Sequence, residues 1–206
     1  MCADGILKNH RDKKLSETKK QRCGWAGLGK PYYLAYHDEE WGVPVHNDQL
    51  HFEFLILEGA QAGLSWDTIL RKREGYRKAF DQFNPEIVAR YDQEKLESLR
   101  QDAGIVRNRI KIKSAVQNAQ VFLNIQKEFG SFDSYIWQFV NDKPIINAWK
   151  NMAEIPATSP ESDALSKDLK KRGMNFVGST IIYAHMQATG MIMDHTTDCF
   201  RYSELT

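Results

Sequence analysis

The chain contains 206 residues, of which 42% are hydrophobic and 27% are charged. This composition is ordinary for one soluble globular domain and excludes a disordered, collagen-like or disulfide-dense protein. The net charge is +1, but residues 1–22 carry seven bases and three acids, whereas residues 23–206 carry 21 bases and 24 acids. Any nucleic-acid surface on the body of the protein must therefore be a local patch.

Residues 1–22 are polar, basic and without helical or strand periodicity. A segment that can bury so little apolar surface is predicted to be a flexible tail. It contains no apolar stretch of signal-peptide length. Two roles stay open for it, a solubilising extension and an arm that contacts nucleic acid.

From residue 48 onward, apolar spacing and capping signals predict helices. One example begins at Ser159 and Pro160 and ends with the bases before Gly173. Eight helices, and no run of alternating strand residues, predict an all-α fold with one domain over residues 23–206. The predicted helices cover residues 50–61, 65–80, a short stretch from 84, 93–102, 107–129, 132–140, 159–172 and 180–189.

The cysteine count and one long uncharged stretch bear on the compartment. Cys2, Cys23 and Cys199 form an odd set, which a secreted disulfide framework would not favour. A reducing compartment, the cytoplasm, is therefore predicted. Residues 175–193 carry no formal charge but contain polar residues at several positions, so they are predicted to form a buried core helix rather than a membrane span.

Two pairs of metal-ligand residues lie near the two ends of the predicted domain. They are Cys23 with His37, and His195 with Cys199. The second pair has the spacing of one helical turn. Two thiolates and two imidazoles can close a tetrahedral zinc shell, and a shell filled by protein is structural. Two buried cysteines and two unrelated histidines remain the alternative.

Aromatic residues are concentrated in the first third of the chain, close to one unusual carboxylate. Aromatic side chains often only fill a core, but they can also stack on a flat ring such as an unpaired base. Glu58 lies within LILEGAQAG, at the end of an apolar helix, where a carboxylate must be paired, hydrogen-bonded or functional. The candidate stacking residues are Trp25, Tyr33, Tyr36, Trp41 and Trp66.

A short apolar turn between two predicted helices is bounded by Gly173 and Gly178. Ser179 and Thr180 open the second helix, where backbone N–H groups can bind a phosphate. Bases at residues 170–172 supply positive charge nearby. A glycine-bounded turn between helices is also common without any function.

Five ordered stretches of the sequence carry a family resemblance: RCGW (22–25), AYHDEEWGVP (35–44), LEGAQAGLSW (57–66), QDAGIVRNRIKI (101–112) and SDALSKDLKKRGMNFVGSTI (162–181). They resemble the 3-methyladenine DNA glycosylase I family, within the helix-hairpin-helix glycosylase superfamily. The resemblance covers about residues 22–200. It implies an enzyme that acts as a monomer on alkylated double-stranded DNA, flips 3-methyladenine out and hydrolyses its N-glycosidic bond, starting base excision repair.

The resemblance also implies roles for individual residues. Trp66 is expected to stack on the flipped base, while Glu58 and Tyr36 bond to its edge. Trp25, Trp41 and Tyr33 are expected to line the pocket. One structural zinc is expected on Cys23, His37, His195 and Cys199. The expected DNA contacts are the wedge Gly63-Leu64 and the hairpin residues Gly173, Gly178, Ser179 and Thr180.

The sequence departs from superfamily patterns at two places, and one of them predicts the reaction type. Bifunctional members use a lysine of the hairpin's second helix, but residues 173–190 contain no lysine, so hydrolysis without strand cleavage is predicted. Asp194 directly precedes His195 instead of lying two residues before it, and its role stays unassigned. Two other classes stay open, a zinc-stabilised DNA-binding module without catalysis and a zinc hydrolase with an open coordination position.

Overall fold

A computed structural model describes residues 20–27 and 29–206. Residues 1–19 of the predicted basic tail lie outside the described residues. Gln21 and Arg22, at the end of that predicted tail, contact the body: the Phe200 N–H donates to the Gln21 carbonyl, and Arg22 forms an ion pair with Asp38. None of the described helices has the length and apolar character needed to cross a membrane.

Helices dominate the described part of the chain, as the capping signals predict. Ser65, Asp92 and Ser131 each accept a hydrogen bond from a first-turn N–H of the helix that follows. The helices are α1 (Pro31–Ala35), α2 (Asp48–Gln61), α3 (Trp66–Ala79), α4 (Pro85–Val88), α5 (Gln93–Gln101), α6 (Arg109–Phe129), α7 (Phe132–Ile136), α8 (Pro160–Arg172), α9 (Ser179–Ala188) and α10 (Phe200–Leu205).

The core is arranged around α2, in which every residue from His51 to Ala60 is buried. A helix buried on all sides carries apolar residues all round, so it shows little amphipathic period. α3, α6 and α9 pack around it, and α9 also packs on α8. This arrangement explains why Glu58, on α2, is held inside the protein.

Several boundaries differ from the sequence prediction. The predicted helix 107–129 begins at Arg109, because Asn108 caps it. The predicted helix 132–140 is α7 followed by a 3₁₀ turn at Trp137–Val140. Helix α1 and the π-helical turn Tyr36–Glu40 that continues it were not predicted, since five-residue helices leave too short a period to read.

The helix predicted within residues 175–193 is confirmed as α9, but it does not extend over the whole uncharged stretch. That stretch contains α9 and then β2 (Ile192–Met193), which pairs in parallel with β1 (Ile145–Ile146). Gly190 separates them with a φ of +67°, and a Cβ there would collide with the backbone of Val43 and Pro44. The strands are two residues long, too short to produce an alternating pattern.

Candidate active site and metal cluster

A cavity of about 350 Å³ lies between the N-terminal aromatic segment, α2, the start of α3 and one face of α9. All six residues that the sequence singles out for a base pocket are among those that line it. They are Trp25, Tyr33, Tyr36, Trp41, Glu58 and Trp66.

The aromatic residues form a continuous wall because short elements turn them toward each other. The Trp25 and Trp41 ring centroids lie 4.9 Å apart at an interplanar angle of 72°. Tyr36, in the π-helical turn, lies 5.4 Å from the ring of Trp66 at the start of α3. The Trp66 indole Nε1 is buried and has no hydrogen-bond partner among the described residues.

Glu58 is the only acidic residue among those lining the cavity. Its side chain forms no hydrogen bond or ion pair within the described part of the chain, although the residue is only 4% exposed. Burial raises the pKa of Glu58 to about 8. Burial, and next the nearby Glu58 charge, also raise the pKa of Tyr36 well above its ordinary value. An unpartnered buried carboxyl is costly for folding, and such groups are concentrated at functional sites.

Half of the cavity wall was not predicted from the sequence. Thr180, which the sequence assigns to the DNA-contacting hairpin, lies on this wall. Its α9 neighbours Tyr183, Ala184 and Gln187, which are three, four and seven positions further along the helix, lie on the same wall. That helical spacing was the only sequence signal that could have placed the α9 residues on the cavity wall. Segment 152–157 gave no sequence signal for its place there. The additional lining residues include Gln61, Met152, Ile155, Tyr183, Ala184 and Gln187.

Asp194 is buried behind this wall and accepts four hydrogen bonds. Its Oδ1 accepts from Asn147 and Trp149 at 2.8 and 2.7 Å. Its Oδ2 accepts from Tyr183 and Gln187 at 2.6 and 2.7 Å. Because Tyr183 and Gln187 both line the cavity, Asp194 fixes α9 side chains of the pocket.

Cys23, His37, His195 and Cys199 meet in one buried cluster. Their ligand atoms all lie within 4.8 Å of one another, and the group can hold a metal ion. Each histidine has a partner on its other ring nitrogen: His37 Nδ1 lies 2.8 Å from Asp38, and His195 Nε2 lies 2.9 Å from the Trp41 carbonyl. Such partners commonly orient metal-binding imidazoles. The cluster joins the two ends of the described chain.

The expectation that His195 and Cys199 share a helical turn is wrong. Residues 195–199 are not helical, and α10 begins only at Phe200. A turn brings the two side chains together, in which the Cys199 N–H donates to the Thr196 carbonyl at 2.8 Å.

The Cys and His cluster and the cavity share their framework. Tyr36 lines the cavity and His37, the next residue, belongs to the cluster. Trp41 lines the cavity while its carbonyl bonds to His195. The cluster and the aromatic wall are therefore built on the same segment, residues 36–41.

The predicted DNA-contacting loops have the backbone conformations that their glycines suggest. Gly173 ends α8 with a φ of +104°, and Gly63 has a φ of +76° in the turn between α2 and α3. Leu64 in that turn is 42% exposed. The Ser179 hydroxyl is hydrogen-bonded to Asp163 and Ser162, so a phosphate at this helix start would meet the backbone rather than that hydroxyl.

Comparisons with known proteins identify the family of this chain. Residues 25–202 match the family described as methyladenine glycosylase. DNA-3-methyladenine glycosylase 1 of Escherichia coli (strain K12) is 48% identical over 182 residues, 88% of this chain and 97% of that protein. A crystal structure of 3-methyladenine DNA glycosylase I matches with a TM-score of 0.85 and 48% identity, over 87% of this chain and 98% of that one. A variant of an enzyme of that name, in complex with 3-methyladenine, matches with a TM-score of 0.82 and 36% identity, over 84% of this chain and 94% of that one. The chain belongs to the methyladenine glycosylase family.

Proposed function

We propose that this protein excises 3-methyladenine from alkylated double-stranded DNA by hydrolysing the N-glycosidic bond, which starts base excision repair. The observation that carries the proposal is the unpartnered Glu58 carboxyl inside an aromatic cavity. The family match supports it, as does the similar enzyme in complex with 3-methyladenine. Flipping the base costs least where the nucleotide is already damaged.

The chemistry needs little acid catalysis from the protein. Methylation at N3 places a positive charge on the purine, so cleavage of its bond to the sugar moves the bonding pair into the ring and releases a neutral base. Water adds to the sugar carbon and loses its proton to solvent. Ionised Glu58 interacts favourably with the cationic ring and accepts from its exocyclic amine, with Tyr36 beside it on the same base edge.

The same carboxylate discriminates between methylated purines. Guanine has a carbonyl where adenine has the amine, so 3-methylguanine would place two acceptors together. A buried acceptor left unpaired rejects a wrong ligand more strongly than a difference in size does. Trp66 stacks on the base, and Trp25, Trp41 and Tyr33 complete the pocket.

The DNA contacts proposed around this pocket are the two glycine-bounded turns. Gly63-Leu64 fills the gap left by the extruded nucleotide, since Leu64 is an exposed apolar side chain close to the lining residue Gln61. The backbone around Gly173, Gly178, Ser179 and Thr180 binds phosphate in the manner of a helix-hairpin-helix motif. The remaining parts of the proposal are that the enzyme acts as a monomer in the cytoplasm and that residues 23–206 form its single domain.

The metal proposed for the buried cluster is one zinc ion per chain. Two thiolates and two oriented imidazoles are a zinc donor set, and with all four positions filled by protein the ion is structural. Bound there, zinc supplies a cross-link between the chain ends and no reaction chemistry. The zinc-hydrolase alternative needs an open position, which this donor set does not leave.

The absence of a lysine from residues 173–190 supports hydrolysis alone. A lyase would attack the sugar with an amine and form a Schiff base. The expected product is an intact strand with an abasic site, and borohydride should trap no protein–DNA adduct.

Binding of the free base tests the pocket directly. Glu58→Gln keeps the shape but replaces an acceptor-only group by a mixed donor and acceptor. We expect the variant to bind 3-methyladenine about tenfold or more weakly, as measured by the quenching of tryptophan fluorescence. Glu94→Gln, at an exposed position of α5, is the matched control. Equal binding by all three proteins would show that Glu58 does not recognise the base.

A further inference from the structure

We propose that Arg107, Arg109 and Lys113, here called the basic track, bind phosphates of duplex DNA between the turn that carries Leu64 and the α8–α9 hairpin. The inference rests on the proposed action on DNA. It assigns DNA contacts to the start of α6, outside the cavity and outside both glycine turns.

The track is exposed and its charge is uncompensated. All three side chains are exposed, and none has an ion-pair or hydrogen-bond partner among the described residues. No Asp or Glu occurs between Asp102 and Glu128, in a chain whose residues 23–206 are net acidic. A cationic patch on an otherwise acidic body is the form that a local nucleic-acid surface takes.

Lys111 ties the track to the mouth of the cavity. Its Nζ donates to the carbonyls of Ala60 and Ala62 at 2.8 and 2.6 Å. Those carbonyls flank Gln61, which lines the cavity, and precede the turn with Leu64. Duplex DNA that delivers a base into the cavity must therefore pass close to the start of α6.

Further along α6, the residues that follow the basic track contact the α8–α9 hairpin. Asn118 bonds to both the N–H and the carbonyl of Asn175, and Gln117 donates to the Gly173 carbonyl. Residues 111 and 118 lie two turns apart, about 10 Å along the axis. Lys113 lies between these contacts, on the exposed side of α6.

The segment that leads into the track is fixed in place before any DNA binds. Lys72 donates to the Ala103 carbonyl at 2.7 Å, and the Val106 N–H donates to the Tyr76 hydroxyl at 3.2 Å. A Cβ on Gly75 would collide with the Gly104 backbone, so α3 and this loop touch. Preorganised phosphate ligands lose less conformational entropy on binding.

The salt dependence of DNA binding tests the track. Each phosphate contact releases counterions and contributes about 0.9 to the slope of log affinity against log salt. On an unmodified duplex oligonucleotide, we expect the triple variant Arg107→Ala, Arg109→Ala, Lys113→Ala to make this negative slope shallower by about 3. The control removes the same charge from exposed lysines outside the cavity wall, in Lys78→Ala, Lys127→Ala, Lys143→Ala, and should leave the slope unchanged.

Free 3-methyladenine binding separates the possible failures. An unchanged salt slope in the triple variant, or an equal change of slope in the control, contradicts phosphate binding by the basic track even when the enzyme binds the base normally. A wild-type protein that fails to bind the base instead counts against the proposed function. If the triple variant loses base binding through misfolding, the single alanine variants decide, since each should lower the slope by about 1, while Arg109→Lys should preserve it.

Discussion

At the scale of single residues, we expect Glu58 to set the pH dependence of base release. Its pKa in the free protein is about 8, because burial disfavours the charged form. Since the ionised carboxylate is the form that attracts a cationic base, kcat/KM for release of 3-methyladenine should rise with pH and level off above about 8. Base release measured between pH 6 and 9 checks this.

The Glu58→Gln variant supplies the control for that profile. A glutamine does not titrate in this range, so the rising limb should disappear from the variant while its lower activity persists. A rising limb of the same midpoint in Glu58→Gln would assign the titration to another group.

Glu58 and the aromatic residues could be found from sequence because each breaks a simple expectation. A carboxylate in an apolar helix and tryptophans clustered near it point to a pocket before any fold is known. Asp194 gave no such signal, since its four donors come from two separate segments of the chain, residues 147–149 and α9. Only the tertiary structure brings those donors together.

At the scale of elements, Asp194 fastens α9 to the segment that follows β1. Asp194→Asn would place an amide against donors that now meet a carboxylate, which leaves buried donors unsatisfied. We expect a loss of about 2 to 3 kcal/mol in the free energy of unfolding, measured by denaturant titration. Weaker 3-methyladenine binding should accompany it, because Tyr183 and Gln187 lose their fixed positions. A variant as stable as the wild type would contradict this role.

The turn at residues 195–199 shows why element boundaries escaped the sequence. Two residues four apart fit a helical turn, but equally fit a tight turn that ends at a helix start, and only packing decides. The same holds for β2, which follows Gly190, because its place depends on the close approach of Gly190 to the backbone of Val43. The longer helices were predicted well because their capping residues and apolar periods are local.

At the scale of the whole molecule, the buried cluster joins residue 23 to residue 199. If it binds zinc, Cys199→Ala should remove the metal and lower the melting temperature, because a cross-link closing so long a loop restricts the unfolded chain. Metal analysis and thermal unfolding measure both effects, with Cys2→Ala as the matched cysteine control. Native protein that contains no zinc would contradict the assignment.

The central claim, hydrolytic excision of 3-methyladenine, is tested most directly by incubating the protein with methylated duplex DNA and identifying the released bases by chromatography. The account predicts that 3-methyladenine is released in clear preference to 3-methylguanine, that Glu58→Gln slows the release, and that the DNA strand stays intact. Release of no methylated base, with DNA binding retained, would make the protein a binding module. Cleavage of the strand with a borohydride-trapped adduct would place it in a different mechanistic class.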